Sequence, residues 1–182
     1  MKKRILLIIF SLILFFFSSP QISHAAEITL NNTPAQIYFS PNGGCTEAIV
    51  NEISHAKSEI YVQAYSFTSA PIAKALVDAH KKGIKVEAIL DKSQKKEKYT
   101  SATFLNNSGI PTYIDSKHAI ANNKIMIIDK EIVITGSFNF TKAAEEKNAE
   151  NLLILKNRKL AETYLKNWNK HKDHSEPYRE RN

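Results

Sequence analysis

Asn122-Asn123-Lys124-Ile125-Met126-Ile127-Ile128-Asp129-Lys130-Glu131-Ile132-Val133-Ile134-Thr135-Gly136-Ser137-Phe138-Asn139 holds two apolar runs on either side of a polar break. The runs at 124–128 and 132–135 read as strands, and Asp129-Lys130-Glu131 as the turn that joins them. Ile125, Ile127, Ile128, Ile132 and Ile134 would bury such a hairpin. Residues two apart on a strand share a face, so positions 122 and 124 point the same way. Ser137 and Asn139 repeat that spacing beyond the second strand, and a hairpin centred near Lys130 brings the two pairs side by side. Lysine then offers a positive charge, serine a hydroxyl and asparagine an amide. That set suits a phosphate and the charge it gains during a displacement. Gly136 lets backbone approach where a side chain would obstruct.

On both sides of this hairpin, short apolar runs alternate with amphipathic ones. Residues 35–39, 60–65, 85–90, 112–114 and 151–155 read as strands. Residues 46–57 carry Ala48, Ile49, Ile53 and Ala56 at helical spacing. A second helix starts near Pro71 and runs to Lys82, with Gly83 as its stop. Others are expected at 100–107, 141–147 and about 158–172, the last capped by Asn157. The polar linker Asn31-Asn32-Thr33-Pro34 precedes the first strand, and the tail after His174 is expected to fray. The sum is one α/β domain over 35–174, a mixed β-sheet flanked by helices, followed by a tail at 175–182. The hairpin motif occurs once.

Lys2-Lys3-Arg4, the apolar run at 5–17 and the small-x-small Ser23-His24-Ala25 read as an export signal peptide over 1–25. The protein is then secreted or periplasmic. The run is shorter than the roughly 20 residues of a membrane span, although extension through Ile22 would make it an anchor. The net charge of +7 falls to +4 when those three basic residues leave with the signal. A mild basic bias fits an anionic partner, nucleic acid or a phospholipid headgroup. Lys92, Lys95, Lys96 and Lys98 form either a solvated loop or one that tracks phosphates. Cys45 is the single cysteine, so the chain forms no internal disulfide. Beside Gly43-Gly44 it reads as a small loop or cap residue, with an intersubunit bridge as the alternative. Tyr61, Tyr65, Phe67, Phe138 and Phe140 read as core before they read as base-stacking platforms, and Trp168 as packing. Asp91 reads as a turn or cap residue. No Cys/His cluster has metal-ligand spacing, so neither a metal nor another cofactor is expected. His55 and His80 read as surface residues, and His171 and His174 as part of the basic C-terminal end.

The motif resembles that of the phospholipase D superfamily: His-x-Lys, four residues, Asp, six residues, then Gly-Ser-x-Asn. Lys124, Asp129, Gly136, Ser137 and Asn139 keep every interval. The similarity extends over Ser40-Pro41, Tyr65-Ser66-Phe67-Thr68 and Asn148-Ala149-Glu150-Asn151, roughly from Ile37 to Trp168. It is closest to the small one-motif bacterial members, Nuc-type endonucleases and rickettsial-type phospholipase D, with mitochondrial cardiolipin hydrolase more distant. The resemblance implies metal-independent hydrolysis of a phosphodiester in a lipid or nucleic acid. One histidine attacks phosphorus to give a phosphohistidine, a second protonates the leaving oxygen, and water releases the product. It also implies a homodimer in which each chain gives one motif to a shared active site. By the same carry-over Lys124, Ser137 and Asn139 contact the phosphate, Glu150 orients the motif imidazole, and Asp129 is a structural charge partner.

One position departs from the pattern: Asn122 stands where the motif has its histidine. An amide has no titratable nitrogen near neutral pH and is a very poor nucleophile. The chain as written is therefore expected to be inactive or nearly so, with fold and phosphate binding retained. His118 lies four residues upstream, about 13 Å if extended, and would need a tight loop to substitute. An engineered replacement, a natural non-catalytic protein and an unrecognised catalytic solution all fit the sequence. So do three functions: a disabled phosphodiesterase, a phosphodiester-binding module, and a structural protein that uses only its dimer interface. Gly43-Gly44-Cys45-Thr46 is more rickettsial than Nuc-like, which tilts the expected substrate toward phospholipid.

Overall fold

The computed structural model describes residues 26–95 and 100–179; the expected signal at 1–25, Lys96 and Lys98 of the lysine run, and 180–182 lie outside them. Among the described residues, eight strands form one mixed sheet. They are β1 (Ala35–Ser40), β2 (Glu59–Ala64), β3 (Lys85–Asp91), β4 (Thr112–Asp115), β5 (Lys124–Ile128), β6 (Ile132–Gly136), β7 (Glu150–Lys156) and β8 (Glu176–Pro177), in spatial order β1-β7-β6-β5-β2-β3-β4-β8. Strands β2, β3 and β4 run parallel, while β5, β6, β7 and β1 continue the sheet antiparallel from β2.

The central strands are apolar at consecutive positions because both sheet faces are covered. On one face Ile60, Val62, Val86, Ala88, Met126, Ile128 and Ile134 pack with α1 (Cys45–Ser54), α2 (Ala70–Lys81), α3 (Ser101–Asn107) and α4 (Lys142–Glu146). On the other, Tyr61, Ile89, Ile125, Ile127 and Val133 pack beneath α5 (Arg158–Asp173) through Ala161 and Trp168. Helix boundaries follow local chemistry. Thr100, Thr141 and Asn157 accept hydrogen bonds from Ala102, Ala144 and Leu160 at the starts of α3, α4 and α5. Helix α1 starts after Gly44 without a side-chain cap of its own, and the Glu145 carboxylate supplies one by accepting from Gly44 N at 3.0 Å and Thr46 N at 2.7 Å. Its first residue, Cys45, is fully buried, and burial pushes its thiol up to about 11. That placement favours the cap reading over an intersubunit bridge.

The tail is the clearest correction to the sequence-based expectation. Residues 176–177 do not fray but pair antiparallel with β4, Ile114 against Glu176 and Tyr113 against Pro177. Tyr178 N donates to Thr112 O at 2.8 Å, and its hydroxyl lies 2.7 Å from Thr103 Oγ1. Strand β4 would otherwise end the sheet with unpaired backbone groups, and the tail closes that edge.

Candidate functional site

The β5–β6 hairpin turns at Asp129 and Lys130, both with φ of 54°. Positive φ at two successive central residues matches the primed turn whose twist suits a tight hairpin. Asp129 also fixes the hairpin to the neighbouring chain. Its carboxylate accepts from the backbone of Lys57 (2.9 Å), Ser58 (2.8 Å) and Glu59 (3.2 Å) and from Ser58 Oγ at 2.8 Å. Burial raises its pKa, but the amides of Lys57, Ser58 and Glu59 and the Ser58 hydroxyl outweigh that and leave it lowered. Asp129→Asn keeps the tolerance for positive φ while removing the charge. It is expected to cost about 1–2 kcal/mol at neutral pH. The native carboxyl titrates below the unfolded value of about 3.9, so its stabilisation is complete above that pH and lost as pH falls through the lowered value. Urea melts should show the difference between wild type and Asp129→Asn shrinking below about pH 4.

Register carries the turn geometry to the other end of the hairpin. Met126 pairs with Ile134, and continuing that register by one more pair on the same face sets Lys124 opposite Gly136. Lys124 pairs with Ala64 of β2 on its other side. Its Nζ donates to Asn122 O at 2.9 Å and to Asn122 Oδ1, and lies 5.4 Å from the centre of the Tyr65 ring. Burial lowers the Lys124 pKa, and the negative charge of Glu150 opposes the shift. Glu150 opens β7 opposite Ser40 and accepts from Asn148 Nδ2 at 3.1 Å. Ser137 Oγ accepts from Asn151 N at 3.0 Å and Nδ2 at 3.3 Å. Asn139 Oδ1 is buried with no hydrogen-bond partner, a condition that costs about 1–3 kcal/mol and that an incoming donor would relieve.

Gly136 has φ of 143°, and a Cβ there would sit 2.3 Å from Asn151 O. The close approach read from sequence is thus one strand's backbone against the next. Gly136→Ala should cost at least about 2 kcal/mol, through strain and displacement of β7 beside Ser137. A thermal melt within a degree of wild type would contradict it.

Other expected residues fall elsewhere. Asp91 accepts from Ser93 N at 2.9 Å and Ala121 N at 2.7 Å, fixing two loops. Lys92 Nζ donates to His118 O at 2.9 Å, and Lys95 pairs with Glu176 at 3.1 Å. Phe67, Phe138 and Phe140 are fully buried, Tyr61 nearly so, and only Tyr65 faces the lysine. His118 does not reach for position 122, because its Nδ1 lies 2.9 Å from Asp115 Oδ2. There it joins His171 and His174. No Cys/His spacing in the sequence called for a metal, yet the fold gathers Asp115, His118, His171 and His174 so that their ligand atoms lie within 4.8 Å of one another. The two segments are far apart in sequence, and only the Asp115-x-x-His118 and His171-x-x-His174 spacings hinted at it.

Lysine, serine and asparagine are set around one hairpin end, with a carboxylate near the lysine, a set of groups chemically suited to a phosphodiester. Residues 49–172 match the family model described as cardiolipin synthase, PLD-like domain. The chain is 44% identical over 151 residues to a phospholipase D of Rickettsia felis, covering 83% of this chain and 76% of that protein. Among solved structures it is similar to Nuc from Salmonella typhimurium, a phospholipase D family member, with TM-score 0.78 and 39% identity over 81% of this chain and 99% of that one. NucT from Helicobacter pylori is similar at TM-score 0.75 and 25% identity, over 80% of this chain and 99% of that one. The chain belongs to the phospholipase D superfamily.

Proposed function

We propose that this chain is an exported phospholipase D-type protein that binds a phosphodiester between two copies of itself and turns it over little or not at all. The carrying observation is the pairing of Asn122 with Lys124. The side chain at 122 reaches the phosphate-holding ammonium, yet brings an amide oxygen where the reaction needs a basic nitrogen. Without that nitrogen neither the bond to phosphorus nor the proton for the leaving oxygen can be supplied, so Lys124, Ser137 and Asn139 are left to bind. The phospholipid reading draws on the 44% identity to a protein named phospholipase D. The homodimer reading is supported by edge strand β1, where Ile37 and Phe39 share one face and are 58% and 67% exposed. Phe39 is paired with Asn151, beside Ser137, so this apolar strip runs up to the phosphate-facing residues. The export reading rests on the N-terminal 25 residues.

Binding tests this directly. Vesicles containing phosphatidylcholine or cardiolipin and single-stranded DNA should compete for the purified chain, with vesicles favoured. Lys124→Ala should weaken binding by about 10–100-fold, the worth of a charged hydrogen bond. Salt-sensitive DNA binding with no vesicle binding would move the substrate class to nucleic acid. Binding unchanged in Lys124→Ala would overturn the phosphodiester site itself.

A further inference from the structure

We propose that Asp115, His118, His171 and His174 form a zinc site, separate from the phosphodiester site, that ties the end of α5 to the loop leading into Lys124. The four residues come from two short segments. Asp115 ends β4 and His118 follows three residues on. His171 lies in the last turn of α5 and His174 at its C-cap, an interval that puts both rings on one side of the helix.

Asp115 is fully buried and the three imidazoles converge on it. Its Oδ2 lies 2.9 Å from His118 Nδ1, 2.8 Å from His171 Nδ1 and 3.3 Å from His174 Nε2. The ring centres are 4.9 to 5.3 Å apart, and the four donor atoms all fall within 4.8 Å of one another. Bonds of about 2.0–2.1 Å to a tetrahedral zinc put donor atoms roughly 3.3–3.5 Å apart. The carboxylate-to-imidazole separations are already near that value. Small rotations of the rings, which sit at the surface with 16% to 44% of their side chains exposed, bring the nitrogens the rest of the way.

The surroundings fit a ligand set better than a bare hydrogen-bonded cluster. Asp115 Oδ1 accepts from Lys117 N at 3.1 Å and also lies 3.1 Å from His118 Nδ1, while Oδ2 is within reach of all three rings. One carboxylate oxygen then faces three imidazoles. Without a cation all three must present N–H groups to one carboxylate, His171 and His174 to the same oxygen, whereas a divalent ion lets every nitrogen act through its lone pair. Three imidazoles and one carboxylate are a donor set for zinc or a neighbouring first-row metal; calcium and magnesium prefer oxygen ligands. Four protein ligands fill a tetrahedral shell, which marks a structural ion with no open position for chemistry. The ion would hold loop 116–123, already fastened by Lys92 to His118 O and by Asp91 to Ala121 N, in the path that delivers Asn122 and Lys124.

The test uses the full mature chain, free of any histidine tag and stripped with a chelator, titrated with zinc chloride and separately with Co²⁺. One zinc per chain should bind, and Tm should rise by about 5–10 °C at a free zinc near 100 times Kd. Co²⁺ should give the intense visible absorption of a tetrahedral site. His118→Ala and His174→Gln, each altering a partly exposed side chain, should lose both signals, while His55→Ala keeps them. The absorption is read on protein that circular dichroism shows to be folded. Absence of stoichiometric binding, or one-to-one binding that persists in both variants, would overturn the site. Neither readout depends on residue 122 or on any phosphodiester.

Discussion

Asn122→His is expected to raise phosphodiester hydrolysis by on the order of 10⁶-fold over the chain as written. Position 122 is exposed, so an imidazole has room there without disturbing the buried rows of β5. The substitution also removes one of the two oxygens of residue 122 that the Lys124 ammonium contacts, leaving the backbone carbonyl contact in place. In the proposed homodimer, two copies restored together would regain nucleophile and acid at once. The gain is not the square of a single restoration, because residues acting as one unit lose nearly everything when any one is removed. Steady-state assays on phospholipid vesicles and on DNA, each with both proteins, measure the ratio. A ratio near one, with the chain as written already active, would mean that another group does the work of the imidazole.

Trp168→Ala is expected to be the most destabilising change in the body of the fold, costing about 3–5 kcal/mol. The indole is 1% exposed and its Nε1 donates to Val62 O at 2.9 Å in the centre of the sheet. Its ring lies 4.9 Å from that of Tyr61, and Lys172 Nζ sits 5.5 Å from its centre. Truncation therefore opens a large cavity beneath α5 and deprives a buried carbonyl of a donor. Lys172 also pairs with Glu87, whose pKa burial raises but Lys172 and Lys85 bring down below its usual value. Loosening α5 thus weakens a partly buried ion pair as well as a core. Urea denaturation of both proteins reads the difference; a loss under about 1 kcal/mol would show that α5 is held by other contacts.

How much of this was legible beforehand differs by region. The hairpin, its turn and the positions of Lys124, Ser137 and Asn139 followed from apolar runs of definite length and from two-residue spacing, both local properties. Asn157 was recognisable as a cap because its side chain acts within three residues. The docking of residues 176–178 onto β4 was hidden, since a two-residue strand has no periodicity and its partners lie 62 and 64 residues away in the chain. The Asp115 cluster was hidden for a related reason: α5 must first cross the sheet before His171 and His174 meet Asp115. Glu145 as the cap of α1 has no signature in its own neighbourhood, because the helix it serves begins 100 residues earlier.

Mass spectrometry of the Asn122→His chain, quenched during turnover, examines most directly whether residue 122 is where phosphorus is bonded. A phosphoryl-containing adduct on the peptide bearing residue 122, absent from the chain as written, is the predicted result. An adduct on another residue, or the same adduct on the unaltered chain, would contradict it.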